Sequence, residues 1–175
     1  MPLLTRARYP NIYLTIHIRP ASFPPRYHWG IFIPHPPSNS TGIERGTNFH
    51  MVDHVRPPYW RFEADFNYNL NDSAYVAAAI VIGQLRRSSI EQIHRLLYRI
   101  PINVVPLEDI DSENTFSCRV WIREAIRVLH RAGIITCSSV DDLEWEMRGY
   151  GERARYFSDH GYFQGAYVDM SRFSF

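Results

Sequence analysis

A cysteine, Cys118, stands where a polar turn gives way to a helical pattern. Asp111 to Asn114 has turn composition, and apolar residues then recur at helical spacing until the pattern stops at Gly133. Unpaired backbone N–H groups and the positive end of the helix dipole favour a thiolate at such a position. A thiolate could act as a nucleophile, a metal ligand or a redox centre, and the alternative is an inert buried cysteine.

A nucleophilic thiolate needs an imidazole to take its proton and a third polar group to orient that imidazole. Of the eight histidines, His28 and His50 are the best candidates, because they lie in neighbouring predicted strands. Facing side chains of such strands come within about 5 Å of each other. His54 shares the alternation of His50 and is a weaker candidate. We expect surface roles for the remaining five, which are His17, His35, His94, His130 and His160.

Two further patterns admit more than one interpretation. By residue type, His28, His50, His54 and Cys118 could bind zinc, but the chain lacks C-x-x-C and H-E-x-x-H spacing, so we expect no metal and no other cofactor. Arginines recur every four residues from Arg119 to Arg131, which indicates either a solvated helix face paired with acidic neighbours or an anion-binding rim.

The composition limits the class of protein. The chain has 175 residues, 45% of them hydrophobic, and a formal charge of +1, which indicates one folded domain and argues against disorder and nucleic-acid binding. No apolar run reaches the roughly 18 residues of a membrane span, and Arg6 and Pro10 interrupt the N-terminus, so we expect no secretory signal. Two cysteines make no disulfide framework, which favours a cytoplasmic setting. Because lysine is absent, Schiff-base and Walker A chemistry are excluded.

The predicted elements form a single α+β domain over residues 1–175, with an antiparallel sheet packed against helices. Alternating and β-branched runs predict an antiparallel meander of four strands, at 11–19, 27–33, 47–55 and 59–66. A buried strand from Val76 and a helix opened by a Ser88–Glu91 capping box follow. The Cys118 helix comes next, then a charged surface helix from Val140 to Arg155. The aromatic, glycine-rich tail 156–175 is either a packed strand or a flap over the substrate.

Several of these residues resemble a known superfamily. Tyr27-His28-Trp29-Gly30-Ile31, then His50, then Cys118 opening a helix, resemble the circularly permuted branch of the NlpC-type papain-like superfamily, which includes lecithin–retinol acyltransferase. The chain is also similar to small fungal proteins that share three further motifs with it. These motifs are Asn48-Phe49-His50, Trp60-x-Phe62-Glu63 and Phe116-x-Cys118-Arg119-Val120-Trp121. The resemblance extends over roughly residues 10 to 150.

The resemblance implies a permuted papain-like fold with Cys118 as nucleophile, His28 as general base and His50 as the orienting residue. The Cys118 N–H and Tyr27 would then stabilise the oxyanion. Around them, Glu63 would either pair with an arginine or support a histidine, and Trp29 and Arg119 would border the substrate.

The implied activity is that of a cysteine-dependent hydrolase or acyltransferase acting through a thioester, in a pathway of specialised metabolism. Its substrate would be a small-molecule or peptide acyl compound. Ser117 and Arg119 flank the cysteine where the acyltransferases carry Asn and an acidic residue or His, so a lipid substrate is not expected. The alternative is a non-catalytic interaction module on a lapsed papain-like fold.

Overall fold

The computed structural model describes residues 7–19, 26–36, 45–53, 60–70, 75–163 and 165–175. Within these ranges the chain forms a sheet of six strands and three α-helices. The strands are β1 (Asn11–Ile18), β2 (Tyr27–Pro34), β3 (Arg45–Asp53), β4 (Trp60–Asn69), β5 (Val76–Gln84) and β6 (Tyr167–Met170). The helices are α1 (Ile90–Tyr98), α2 (Cys118–Arg131) and α3 (Val140–Asp159).

The strands lie in the order β4-β3-β2-β1-β5-β6, and each neighbouring pair is antiparallel except β5 and β6, which are parallel. The predicted α+β class and the meander of the first four strands are therefore confirmed. The strand predicted from Val76 pairs with the other edge of β1. The end of the tail, which the sequence left open between a strand and a flap, adds β6 beside β5.

The two faces of the sheet differ in what covers them. On one face, the odd-numbered residues of β2 join a core with α2 and α3 that includes Trp29, Ile31 and Trp121. Even-numbered β2 residues point to the opposite face, where Phe32 packs with Tyr13 in a smaller cluster. All three helices contribute to the first core: α2 packs on β2 and β3, α3 on β1 and β5, and α1 against α2.

The start of α1 differs slightly from the prediction, whereas the start of α2 agrees with it. The N-cap of α1 is Ser89, whose hydroxyl accepts a hydrogen bond from the Gln92 N–H, so the cap lies one residue beyond the predicted Ser88. In α2, Ser117 is the N-cap and accepts from the Val120 N–H, which makes Cys118 the first helical residue. Gly133 follows the end of α2 with φ +67°, as a helix-terminating glycine does.

The third helix, α3, is longer and more buried than predicted. It runs to Asp159 and buries Leu143, Met147 and Ala154, because these residues share the side that faces the sheet. Its second half therefore forms one wall of the groove described below. No helix among the described residues combines the length and the hydropathy needed to cross a membrane.

Candidate functional site

An open groove of about 930 Å³ lies between α3, the start of β2 and the segment that leads into α2. Its lining is both aromatic and charged. The aromatic residues are Tyr27, Trp29, Trp60, Phe116 and Tyr156; the arginines are Arg19, Arg26, Arg119, Arg148 and Arg155; the carboxylates are Asp53, Glu152 and Asp159. This volume lies within the range of sites that hold small molecules.

Cys118 borders this groove as a mostly buried, neutral thiol. Its side chain is only 6% exposed, and its Sγ–H donates to the Tyr27 carbonyl oxygen at 3.8 Å. Burial raises the pKa of the Cys118 thiol, although the charge of Arg19 and the backbone N–H groups of Trp29 and of the first turn of α2 lower it. The expected low-pKa thiolate is therefore not what this environment favours, because desolvation outweighs the helix terminus.

The structure places the His28 imidazole next to His50 but not next to Cys118. Tyr27 and Trp29 point to the helix side of β2, where both line the groove with Cys118. His28, between them, points to the other face of the sheet because side chains alternate along a strand. No hydrogen bond among the described residues joins the Cys118 sulfur to an imidazole, and His54 lies outside the described residues.

Three histidines meet on the helix-free face. His28 Nε2 lies 2.8 Å from His50 Nδ1, and the His17 and His28 ring centroids are 6.0 Å apart. Burial first, and neighbouring imidazoles second, lower the pKa of His17 to about 4 and that of His28 to about 3. His17 was expected at the surface but is 8% exposed, because it pairs directly with His28 across β1 and β2.

Glu63 lies opposite His50 on β4 and forms an ion pair with Arg61 at 3.4 Å. Burial lowers the pKa of His50, and the charges of Glu63 and Asp65 oppose that effect. The position of Glu63 thus combines both predicted interpretations, an arginine partner and a neighbour of a histidine.

The phenol of Tyr27 is one of the unsatisfied polar groups of the groove. Its hydroxyl oxygen is buried and has no hydrogen-bond partner among the described residues, and the same holds for Oδ1 of Asp53. Burial raises the pKa of Tyr27, and the charge of Glu152 raises it further. The ring packs against Gly151, where a Cβ atom would lie 3.1 Å from ring atom Cε1.

The arginine stripe of α2 belongs to a buried ion-pair network. Arg119 contacts Glu113 and also donates to Glu144 at 2.9 Å, so it borders the groove with its charge already engaged. Arg123 and Arg127 both bind the fully buried Asp109, at 2.8 and 2.5 Å. The predicted pairing with acidic neighbours is present, Glu124 among them, but Arg119, Arg123 and Arg127 are largely buried and form neither a solvated face nor an anion-binding rim.

Arg19 is a groove residue that the sequence reasoning did not identify. Its Nη2 lies 3.4 Å from His28 Nδ1, and its charge also acts on Cys118. It therefore reaches both the histidine face and the groove from the end of β1. Its place at the end of a predicted strand and directly before a proline was the available signal.

The described residues contain no cluster of three or more His, Cys, Asp or Glu side chains arranged to hold a metal ion. Cys118 and Cys137 are both free thiols.

The fold and the groove define a small α+β protein with a cysteine-bordered, arginine-rich cleft beside one sheet. The chain belongs to a family of unknown function, DUF6540, whose match spans residues 12–136. That span contains Cys118 and the histidine cluster, whereas the α3 wall of the groove lies beyond it. No curated protein and no solved structure matches the chain.

Proposed function

We propose that this protein binds an amphipathic anion in the groove, such as an aromatic or acylated carboxylate with an N–H or O–H donor of its own. The main observation in support is that the buried Tyr27 hydroxyl has no hydrogen-bond partner among the described residues. Buried polar groups in folded proteins are nearly always paired, so an unpaired hydroxyl on a residue that lines a cavity is a position at which a ligand atom would complete a hydrogen bond. The Asp53 Oδ1 atom supports a donor on the same ligand.

The charge and the aromatic lining support the same class of ligand. Five arginines and three carboxylates border the groove, and of these arginines Arg119 and Arg148 also pair with Glu144, which is not a lining residue. Guanidinium groups match carboxylate geometry and stack on aromatic planes. The rings of Trp29 and Trp60 supply apolar surface for the remainder of the molecule. This proposal develops the non-catalytic alternative and needs no thiolate.

The test uses 1-anilinonaphthalene-8-sulfonate, a fluorescent aromatic anion with an N–H donor, and N-phenyl-1-naphthylamine as its matched neutral probe. We expect saturable binding that favours the sulfonate. Tyr27→Phe should weaken it about fivefold, the equivalent of one hydrogen bond of about 1 kcal/mol. The stability of the free protein should stay unchanged, because the hydroxyl has no partner to lose.

The control for this experiment is Tyr98→Phe, since Tyr98 is exposed on α1 and does not border the groove. Equal binding of the two probes, or equal affinity in wild type and Tyr27→Phe, would overturn the proposal. A loss of affinity shared by both tyrosine variants would overturn it as well.

A second candidate function is the cysteine-dependent acyl chemistry of the papain-like resemblance. The observation that favours it is the position of Cys118 in the first turn of α2, at the groove and near Arg19. A sulfur nucleophile would attack an ester carbonyl, expel the alcohol and form a thioester that water hydrolyses. His28 would have to turn toward the helix side to act as its base.

The probe for this candidate is p-nitrophenyl acetate. Release of p-nitrophenolate that is lost in Cys118→Ala and retained in Cys137→Ala would support acyl chemistry. Release that is the same in both variants would leave ligand binding as the function.

A further inference from the structure

We infer a second site, separate from the groove, that binds a peptide by one apolar side chain and an adjacent backbone carbonyl. It is a pocket of about 200 Å³ formed by α2 and the connector that follows α1. Its apolar lining consists of Ile100, Pro101, Val104, Pro106, Phe116 and Trp121. Phe116 also borders the groove, but the other residues that line the pocket do not, so the inference does not depend on what the groove binds.

The feature that points to a ligand is the indole of Trp121. This side chain is fully buried, yet its Nε1–H has no acceptor among the described residues. An unpaired buried N–H destabilises the fold, and tryptophan normally places this group against a partner. Trp121 is one of the residues that line the pocket, so a carbonyl oxygen that enters deeply enough to reach the indole would supply the missing acceptor.

The surroundings favour a peptide over a free small molecule. The pocket is smaller than the roughly 300–1,000 Å³ of typical small-molecule sites and is of the size that one anchoring side chain fills. Next to it, the connector exposes Val104 (54%) and Leu107 (83%), and Ile110 is exposed beyond them. Large apolar side chains grouped on a surface mark sites of protein contact.

Charge at the rim adds a second element of recognition. Glu108 borders the pocket with a side chain that is 56% exposed, and its nearest cation is Arg131 at 4.0 Å. Glu124, the other acidic lining residue, is more buried and contacts both Arg127 and Arg131. The partner segment is therefore one with a basic residue next to its apolar anchor.

The experiment follows the indole N–H signal of Trp121 by ¹H–¹⁵N NMR in the full chain. The four tryptophans are assigned by elimination with Trp29→Phe, Trp60→Phe and Trp145→Phe, which leaves the buried Trp121 in place. The probe is N-acetyl-leucyl-argininamide, and the controls are its glycyl-arginine and leucyl-glutamate counterparts.

We expect the Trp121 signal to move downfield, as it does on hydrogen bonding, and to saturate with the leucyl-arginine probe. The glycyl probe should produce no shift, and the leucyl-glutamate probe should bind more weakly. Val104→Trp, which fills the pocket from its exposed side, should abolish the shift, whereas the Glu108→Gln variant should only remove the preference for arginine. An unmoved Trp121 signal, or equal shifts with the glycyl probe, would overturn the inference. Cyclohexanone serves as a small ketone that carries an acceptor but no peptide. Saturation by cyclohexanone without any response to the peptides would overturn the inference as well.

Discussion

The Nε2 atom of His28 lies 2.8 Å from the Nδ1 atom of His50, on the face of the sheet opposite the three helices. The two imidazoles are hydrogen-bonded to each other, and His17 and the Arg19 guanidinium adjoin His28. Four potential cations thus share one partly buried region. This crowding makes the folded state sensitive to protonation. Strand alternation places the pair on the far side of β2 from the Cys118 sulfur.

The first prediction concerns stability at acidic pH. In the unfolded chain each histidine binds its proton near pH 6.5, whereas His17 and His28 in the folded protein bind theirs only near pH 4 and 3. The unfolded chain therefore binds more protons between these values. The free energy of unfolding should fall as the pH drops below 6.5, by about 1.4 kcal/mol per pH unit for each such histidine, and the fall should end below the folded pKa values.

Urea denaturation between pH 7 and pH 4 measures this slope. His28→Gln should flatten it, while the control His160→Gln, at an exposed residue after α3, should not change it. A slope that is identical in wild type and His28→Gln would show that the cluster does not control acid stability.

The second prediction concerns Asp109, the buried acceptor for Arg123 and Arg127. Asp109→Asn should lower the free energy of unfolding by about 3–5 kcal/mol, because it leaves two largely buried guanidinium groups without their central charge. Asp141→Asn is the matched control: Asp141 also contacts Arg123, but its side chain is 80% exposed. Its loss should cost less than about 1 kcal/mol. Equal losses in the two variants, measured by urea denaturation, would contradict this ranking.

The third prediction concerns the reactivity of Cys118. Because burial raises the pKa of the thiol, alkylation by iodoacetamide should be slow at neutral pH and still accelerating above about pH 9, the ordinary value for cysteine. The measurement uses Cys137→Ser, with the same variant in urea as the reference for an accessible thiol. A rate that reaches its plateau below pH 8 would reveal a thiolate and would favour acyl chemistry.

The fourth prediction compares two glycines of α3. At Gly149 an added Cβ meets nothing within 4 Å, so Gly149→Ala should raise the free energy of unfolding by about 1 kcal/mol through helix propensity alone. At Gly151 the Cβ would lie 3.1 Å from both Ile16 Cδ1 and Tyr27 Cε1, which must shift. Gly151→Ala should therefore stabilise less and, by displacing Tyr27, weaken binding of anilinonaphthalene sulfonate. Equal effects of the two substitutions on stability and binding would count against close packing of Tyr27 on α3.

Local pattern was sufficient for most of the architecture. Alternation in β2 and the apolar period of α2 are properties of neighbouring residues, so the strand, the helix and the position of Cys118 at its start follow from the chain alone. The proximity of His28 and His50 also followed, because consecutive strands joined by a hairpin usually pair. The α+β class is the sum of these local elements.

Tertiary packing decided what the local pattern left open. Both faces of β2 carry large apolar residues, and only the docking of α2 onto Trp29 and Ile31 determined that His28 points away from Cys118. The ionisation of the thiol was decided in the same way, since burial is a property of the whole fold and here exceeds the effect of the helix terminus. The groove itself joins β2, α2 and α3, segments far apart in the chain, so its shape and charge exist only once those elements have packed together.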